Sequence, residues 1–474
     1  MANKMLIVHG YSDGSTSFTA LADFFIKENL YKKKDIYFVD YSSMDDEATF
    51  RDFADKLNDD YHKICPDFEP IDVACHSTGA LVTRAWLALH YVRNKKRNLN
   101  RNCPVRHLLM FAPANFGSDL ASMGQSFLGK TRTTFFNKHS HKAEDFMESG
   151  KQVLQGLEPA SPFQWELSHY DLHGEQGAYF NPNNNEEHRC YPFIFAAGYS
   201  YTGLEARLLK NRAKPGTDGT VRISGTSLNT RKCHFSFDGK TTVDWIENDV
   251  KYPDIPFAVF DNFNHGNIVN ATGNNFTGKD RPGTLAKQAL GIESLAGYAA
   301  LGKAFKKISD ANYKNMEKDY KDEYQQFFFK VRDDVGQPVE DYFIDFYVQN
   351  SNGSQHKELT AEFDDKFEKS FYRHSADSSC RAMLLECKRL KQFRKKLDET
   401  KTRLVFDITA VPHLPNISYK PGYYVIYDGK GNEAEPETTF IYPNTTTLVD
   451  IIMNRIQTDK LLNVSGYAQI IKAG

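Results

Sequence analysis

Residues Ile71-Asp72-Val73-Ala74-Cys75-His76-Ser77-Thr78-Gly79-Ala80-Leu81 constrain this chain more than any other stretch. An apolar run with β-branched residues leads into a turn of small residues. An apolar helical pattern from Ala80 to Tyr91 follows at once. A strand joined to a helix by so short a turn strains the backbone of the residue at its apex, here Ser77, and exposes that side chain at the top of the sheet. The neighbours two before and two after must then be small. Gly79 meets this demand, and Cys75 meets it as a small residue where a glycine is usual. A serine that merely caps the helix is the competing reading, so the rest of the chain has to decide.

Further short apolar strands read at Met5-Leu6-Ile7-Val8, Asp35 to Asp40, Val105 to Phe111, Tyr191 to Gly198 and Phe257 to Phe260. Helical patterns lie between them, around Ser17 to Glu28 and Ala48 to His62. Strands alternating with helices imply crossover units and an α/β fold, with a mostly parallel sheet covered on both faces. The stretch 113–189 breaks this rhythm. It is long and mostly helical in pattern, and it reads as an insertion over the sheet's C-terminal edge, either a lid or a decoration.

Helical segments from Thr284 to Asp319 close a first domain, residues 1–319. Beyond it the periodicity changes. Phe327 to Val331 and Tyr342 to Val348 flank Asp334-Val335-Gly336-Gln337-Pro338, a hairpin signal. Leu404 to Ile408, Tyr423 to Tyr427 and Thr438 to Ile441 read as strands, and Thr445 to Arg455 as a strand or a helix. Residues 320–474 are therefore expected to form a β-rich, sandwich-like second domain. The 474 residues are 40% apolar and 25% charged, enough to bury a large core.

A net charge of −2 gives no electrostatic reason to expect nucleic acid as a partner. The seven cysteines are scattered, odd in number and without a CxxC pair, which reads as synthesis in a reducing cytosol. No apolar h-region follows Met1, and no run approaches the ~18 apolar residues of a membrane span. The expectation is cytoplasmic synthesis without a signal peptide, which leaves room for export by a specialised secretion system. His139 and His141 with Glu144 and Asp145 do not have the spacing of a recognised metal site. Neither metal nor cofactor is expected. The basic runs Arg93 to Arg97, Lys388-Arg389 and Arg394 to Lys396 read as solvated helix faces, the later ones suited to contact with anionic lipid headgroups.

A hydroxyl needs a base to take its proton and a third group to orient that base. On a strand–turn–helix scaffold of this kind the expected chain order is serine, acid, histidine. Ser77 is followed by Asp218, in the glycine-rich turn Pro215 to Val221, and by His265, in a loop after an apolar strand. Asp244, Asp254 and Asp261 are rival acids, and His234 is a rival base. Developing negative charge on an acyl oxygen needs N–H donors. Thr78, next after the serine, supplies one, and Tyr11 in the early loop His9-Gly10-Tyr11 supplies the other. His76 is expected to point away from Ser77 Oγ.

These residues resemble the α/β-hydrolase superfamily, and within it the lipase-like serine hydrolases. The resemblance is carried by Leu6-Ile7-Val8-His9-Gly10, His76-Ser77-Thr78-Gly79, Asp218-Gly219 and His265. The stretch Phe111-Ala112-Pro113-Ala114-Asn115-Phe116-Gly117-Ser118 is also similar to the loop after the fourth strand of bacterial lipases. It covers about residues 1–319, and Cys75 departs from its usual first glycine. A lipase fused to a C-terminal β-domain looks similar to the lipase effectors that bacteria inject into competitors. The resemblance implies cleavage of carboxylic esters, lipid or phospholipid above all, through an acyl-enzyme on Ser77, His265 and Asp218. It further implies contact with a membrane surface, and the second domain would be free to bind a protein partner. An amidase or thioesterase on the same residues, and a catalytically silent binding module, are the alternatives.

Overall fold

The structure is a computed structural model. It describes residues 4–10, 18–41, 47–92, 103–119, 121, 151–173, 179–180, 189–199, 216–237, 242–245, 254–316, 323–367, 370–412, 416–429 and 440–457.

The first sheet is built from β1 (Met5–Val8), β2 (Ile36–Val39), β3 (Ile71–His76), β4 (Val105–Phe111) and β5 (Tyr191–Ala197). After β6 (Arg231–Ser236) and β7 (Thr242–Trp245), which lie elsewhere, β8 (Phe257–Phe260) completes it in the order β2-β1-β3-β4-β5-β8. Every pairing in it is parallel. Strands β1, β3 and β5 are buried along their whole length, as a parallel sheet covered on both faces requires.

One face packs on helices Thr19–Lys27, Pro282–Leu290 and Leu295–Met316 through Phe25, Leu285, Phe305 and their neighbours. The other packs on helices Phe50–Ile64 and Gly79–Leu87 through Leu57, Leu81 and Trp86. Phe50–Ile64 starts where Thr49 and Asp52 cap one another's backbone N–H groups, which fixes its N-terminus.

The C-terminal part contributes β9 (Tyr324–Asp333), β10 (Tyr342–Gln349), β11 (Ser370–Arg373), β12 (Cys380–Glu386), β13 (Arg403–Ala410), β14 (Ile417–Tyr419), β15 (Gly422–Asp428), β16 (Thr446–Met453) and β17 (Arg455–Gln457). They form a three-stranded sheet, β10-β13-β15, and a six-stranded sheet, β11-β12-β9-β16-β6-β7, with β14 and β17 paired to one side. A core rich in Phe, including Phe235, Phe327, Phe329, Phe346, Phe406 and Phe440, fills the space between the sheets. This is the sandwich the periodicity predicts.

One detail differs from the sequence reading, and one alternative that it left open is decided. The turn at Asp333–Gln337 forms around Gly336, at φ 85°, but β9 and β10 do not make a hairpin. After a single bridge between Arg332 and Pro338 the chain crosses to the other sheet, where β10 pairs with β13. Pro338 lacks the N–H that would continue a ladder. The stretch read as strand or helix from Thr445 is strand β16. It pairs in parallel with β9 on one side and β6 on the other. Strands β6 and β7, which precede residue 319, thus complete a sheet of the C-terminal part.

The described residues of 113–189 include helices Lys151–Leu157 and Pro162–Asp171. Val153, Leu154, Leu157 and Leu167 are buried in the core on the Gly79–Leu87 side. Phe328, Cys380, Ala382 and Leu448 of the six-stranded sheet enter that same core. Tyr372 Oη donates to Glu158 Oε2 at 2.5 Å, and His374 Nε2 donates to the Gln155 carbonyl at 3.0 Å. These bonds tie the inserted helices to the β-sandwich.

Candidate active site

Strand β3 ends at His76, and the helix begins at Gly79. Two residues turn the chain, and Ser77 takes φ 53°, a left-handed conformation that a serine adopts only when its surroundings enforce it. Three backbone bonds do so. Ser77 N–H donates to the Phe111 carbonyl at 3.2 Å, and the Ser77 carbonyl accepts from Ala80 at 3.2 Å and Ala114 at 3.1 Å. The two glycines nearby are steric requirements. A Cβ on Gly10 would stand 2.8 Å from Ser77 Cβ, and one on Gly79 would stand 2.6 Å from the His9 carbonyl oxygen. Cys75 is accommodated because its side chain points into the core beneath the helix, close to Thr83 and Arg84. Burial there pushes its thiol well up.

The structure brings together Ser77 from the turn after β3, His265 from the loop after β8 and Asp218 from the turn that precedes the short helix Ile223–Thr226. His265 Nε2 lies 2.9 Å from Ser77 Oγ, and His265 Nδ1 lies 2.8 Å from Asp218 Oδ2. Asp218 is 1% exposed and His265 8%. A buried carboxylate must have its lone pairs satisfied. The other oxygen of Asp218 accepts from the N–H groups of Thr220 at 2.8 Å and Val221 at 2.7 Å. The tight turn makes this possible, with Gly216 at φ 71° and Gly219 at φ 96°. The His265 loop is shaped by Asn264 Oδ1, which accepts from Gly266 and Asn267 N–H at 3.1 and 2.9 Å.

None of the rivals occupies these positions. His234 sits in β6 and meets Asp450 at 3.3 Å, and Asp244 pairs with His234 across β6 and β7. Asp254 and Asp261 bracket β8, and neither takes the place of Asp218 at His265.

Thr78 follows Ser77 at the start of the helix. Its Oγ1 lies 2.9 Å from Tyr41 Oη, which donates to the His9 carbonyl at 3.0 Å. Tyr41 also stacks on the His9 ring with centroids 4.9 Å apart. Thr78 and the His9-Gly10 loop are thereby tied together. Tyr11, the second expected donor, lies outside the described residues, as do His139, His141, Glu144, Asp145 and the basic run 93–97. Among the described residues no group of three or more His, Cys, Asp or Glu is placed to hold a metal ion, and no helix is long and apolar enough to cross a membrane.

Sequence reasoning missed the buried polar groups that hold this scaffold. Arg84, fully buried, makes a two-pronged bond to Asp171 at 2.6 and 3.1 Å and donates to the Asn115 carbonyl at 3.0 Å. It joins the helix after Ser77 to the inserted helix and to the loop after β4. Asp72, fully buried at the far end of β3, accepts from the Tyr31 hydroxyl and lies 2.7 Å from His107 Nδ1. Both were visible as charged residues inside apolar runs, where a charge survives only if paired.

The phospholipase PlaB from Legionella pneumophila is similar over nearly the whole of both chains. The two share 20% identity and a TM-score of 0.76, covering 98% of this chain and 96% of that one. The fold is that of an α/β-hydrolase joined to a C-terminal β-sandwich. PlaB in complex with thio-NAD matches over the same shares, at 21% identity and a TM-score of 0.75. The mature lipase BlEst2 from Bacillus licheniformis aligns with 57% of this chain and 87% of its own, at 14% identity and a TM-score of 0.35. No protein-family model matches this sequence, and no curated protein matches it.

Proposed function

We propose that this chain is a serine hydrolase that cleaves carboxylic esters of lipids, phospholipids foremost, through an acyl-enzyme. The observation that carries the reading is the continuous hydrogen-bonded line Ser77 Oγ, His265, Asp218, at 2.9 and 2.8 Å. Asp218 accepts a hydrogen bond from the Nδ1–H of His265, which fixes the tautomer in which Nε2 is free to take the proton of Ser77. Ser77 Oγ attacks the ester carbonyl, and His265 then returns the proton to the departing alcohol. Water repeats the sequence to release the acid. The Thr78 N–H, at the start of the helix, and the Tyr11 N–H are the proposed donors to the oxyanion. The phospholipase named in the whole-length neighbour supports a lipid substrate.

The test is turnover of a fluorescent phospholipid and of a short-chain nitrophenyl ester, with Ser77→Ala beside the wild type. Loss of both activities in a variant with an unchanged melting curve supports the reading. A Ser77→Ala protein that hydrolyses either ester as fast as the wild type overturns it. Turnover of the short ester alone keeps the mechanism and moves the substrate away from phospholipid.

A further inference from the structure

We propose that His76 is a positioning residue that sets where the His265 imidazole stands relative to Ser77. The inference rests on the hydrolytic role proposed for those two residues. His265 is held at both of its backbone groups. Its N–H donates to the Asp218 carbonyl at 3.1 Å, and its own carbonyl accepts from His76 Nε2 at 2.8 Å. A carbonyl oxygen only accepts, so Nε2 of His76 carries a proton and is committed to this bond.

The His76 ring is in turn confined. It lies against the His265 ring, with centroids 4.7 Å apart and planes tilted by 45°. Phe18 contacts it with ring centroids 5.6 Å apart. Gly10 approaches so closely that a Cβ there would stand 2.9 Å from His76 Nδ1. With 2% of its surface exposed, His76 has little room to move.

The last residue of β3 is therefore the clamp on the base, and the nucleophile is the residue that follows it. The distance between Ser77 Oγ and His265 Nε2 is referred to one rigid, buried strand. Without the clamp it would depend on the His265 loop and on the two bonds from His265 to Asp218, N–H to the carbonyl and Nδ1 to the carboxylate. His76 itself stays out of the proton path, since its Nε2 serves a backbone carbonyl. A misplacement of about 1 Å at a reacting group costs about a hundredfold in rate. That is the effect expected when the clamp is lost.

The experiment compares His76→Leu, His76→Asn and His76→Gln in the full chain. The glutamine amide reaches about as far as Nε2 and keeps a donor, the asparagine amide falls short, and leucine has none. Turnover of the nitrophenyl ester and the rate of labelling by a fluorophosphonate are measured for each, alongside a melting curve. The expected result is a fall of about a hundredfold in kcat and labelling rate for leucine and asparagine, with KM within about twofold. Glutamine should recover to within about tenfold of the wild type.

Wild-type rates in His76→Asn or His76→Leu would overturn the proposal. So would a glutamine variant that is folded and no faster than asparagine. If leucine fails to fold, the contrast between asparagine and glutamine decides alone. Failure of the underlying reading looks different: labelling of the wild type would then not depend on Ser77.

Discussion

Gly79 lies directly under the end of β1, where a Cβ would stand 2.5 Å from the carbonyl oxygen of Val8. Nothing flexible is available to give way, because the clashing atom is backbone in a fully buried strand. Gly79→Ala must push the helix away from the sheet and carry Ser77 with it. Overpacking of this kind costs about 1–3 kcal/mol, and a backbone clash belongs at the upper end. Urea unfolding should show that loss, together with a drop in esterase turnover larger than stability alone explains. A variant as stable and as active as the wild type would mean the β1–helix contact is looser than described.

Asp218→Asn tests the orientation of the base. The Asn side-chain oxygen can still accept from the Thr220 and Val221 N–H groups, so the turn should hold. Its amide would face His265 Nδ1 with a donor, which favours the tautomer with the proton on Nε2. That nitrogen can no longer accept from Ser77. The expected fall in kcat is about ten-thousandfold, by analogy with other serine hydrolases carrying this change. The melting temperature should move little, and a kcat within about tenfold of the wild type would remove Asp218 from the mechanism.

Tyr41→Phe removes one hydroxyl and leaves the ring that stacks on His9. The hydroxyl bridges the His9 carbonyl and Thr78 Oγ1, at 3.0 and 2.9 Å. Two neutral hydrogen bonds are worth about 1–2 kcal/mol net in stability. The larger effect should be on kcat, because the bridge holds the early loop in register with Thr78, on either side of the proposed oxyanion position. A fall of about tenfold in kcat, with KM unchanged, is the expected outcome; an unchanged kcat would show that Tyr41 does not set that register.

The parts of this site that local sequence made legible are those with local causes. Ser77 and His265 each stand in a turn or loop that follows an apolar strand, Asp218 stands in a glycine-rich turn, and Gly10 and Gly79 are needed within a few ångströms of Ser77. The pairing of β6 with β16 has no such marker. Arg231–Ser236, not among the strands expected from the sequence, is a half-buried strand whose partner lies about 216 residues further on, as the His234–Asp450 contact shows. Register over such a separation is set by which faces bury together. For the same reason the Asp334–Pro338 turn was readable while the destination of β10 was not. Arg84 and Asp72 stand out as charges inside apolar runs, but which residues they pair with, Asp171 and His107, emerges only once the layers are stacked.

Asp450 gives the β6–β16 seam a measurable signature. It lies in β16 opposite His234 of β6 and Lys330 of β9. Burial works to raise its carboxyl, but hydrogen bonds from His234 and Arg332 outweigh this and hold it down to about 2. The contacts are 3.3 Å to His234 Nδ1 and 3.1 Å to Arg332 Nη2, and the Asp450 side chain is 15% exposed. In the unfolded chain the same carboxyl titrates near the ordinary value of about 3.9. A depressed folded-state value means the unfolded state binds the proton first as pH falls. The stabilisation is therefore complete above about pH 5 and is lost as the pH falls toward about 2 and below, amounting to about 2.5 kcal/mol. Asp450→Asn cannot titrate. Its stability at neutral pH should be lower, and it should decline less steeply than the wild type between about pH 4 and 2. Unfolding curves taken across that range check this directly, and parallel declines in the two proteins would show that Asp450 does not hold its charge across the seam.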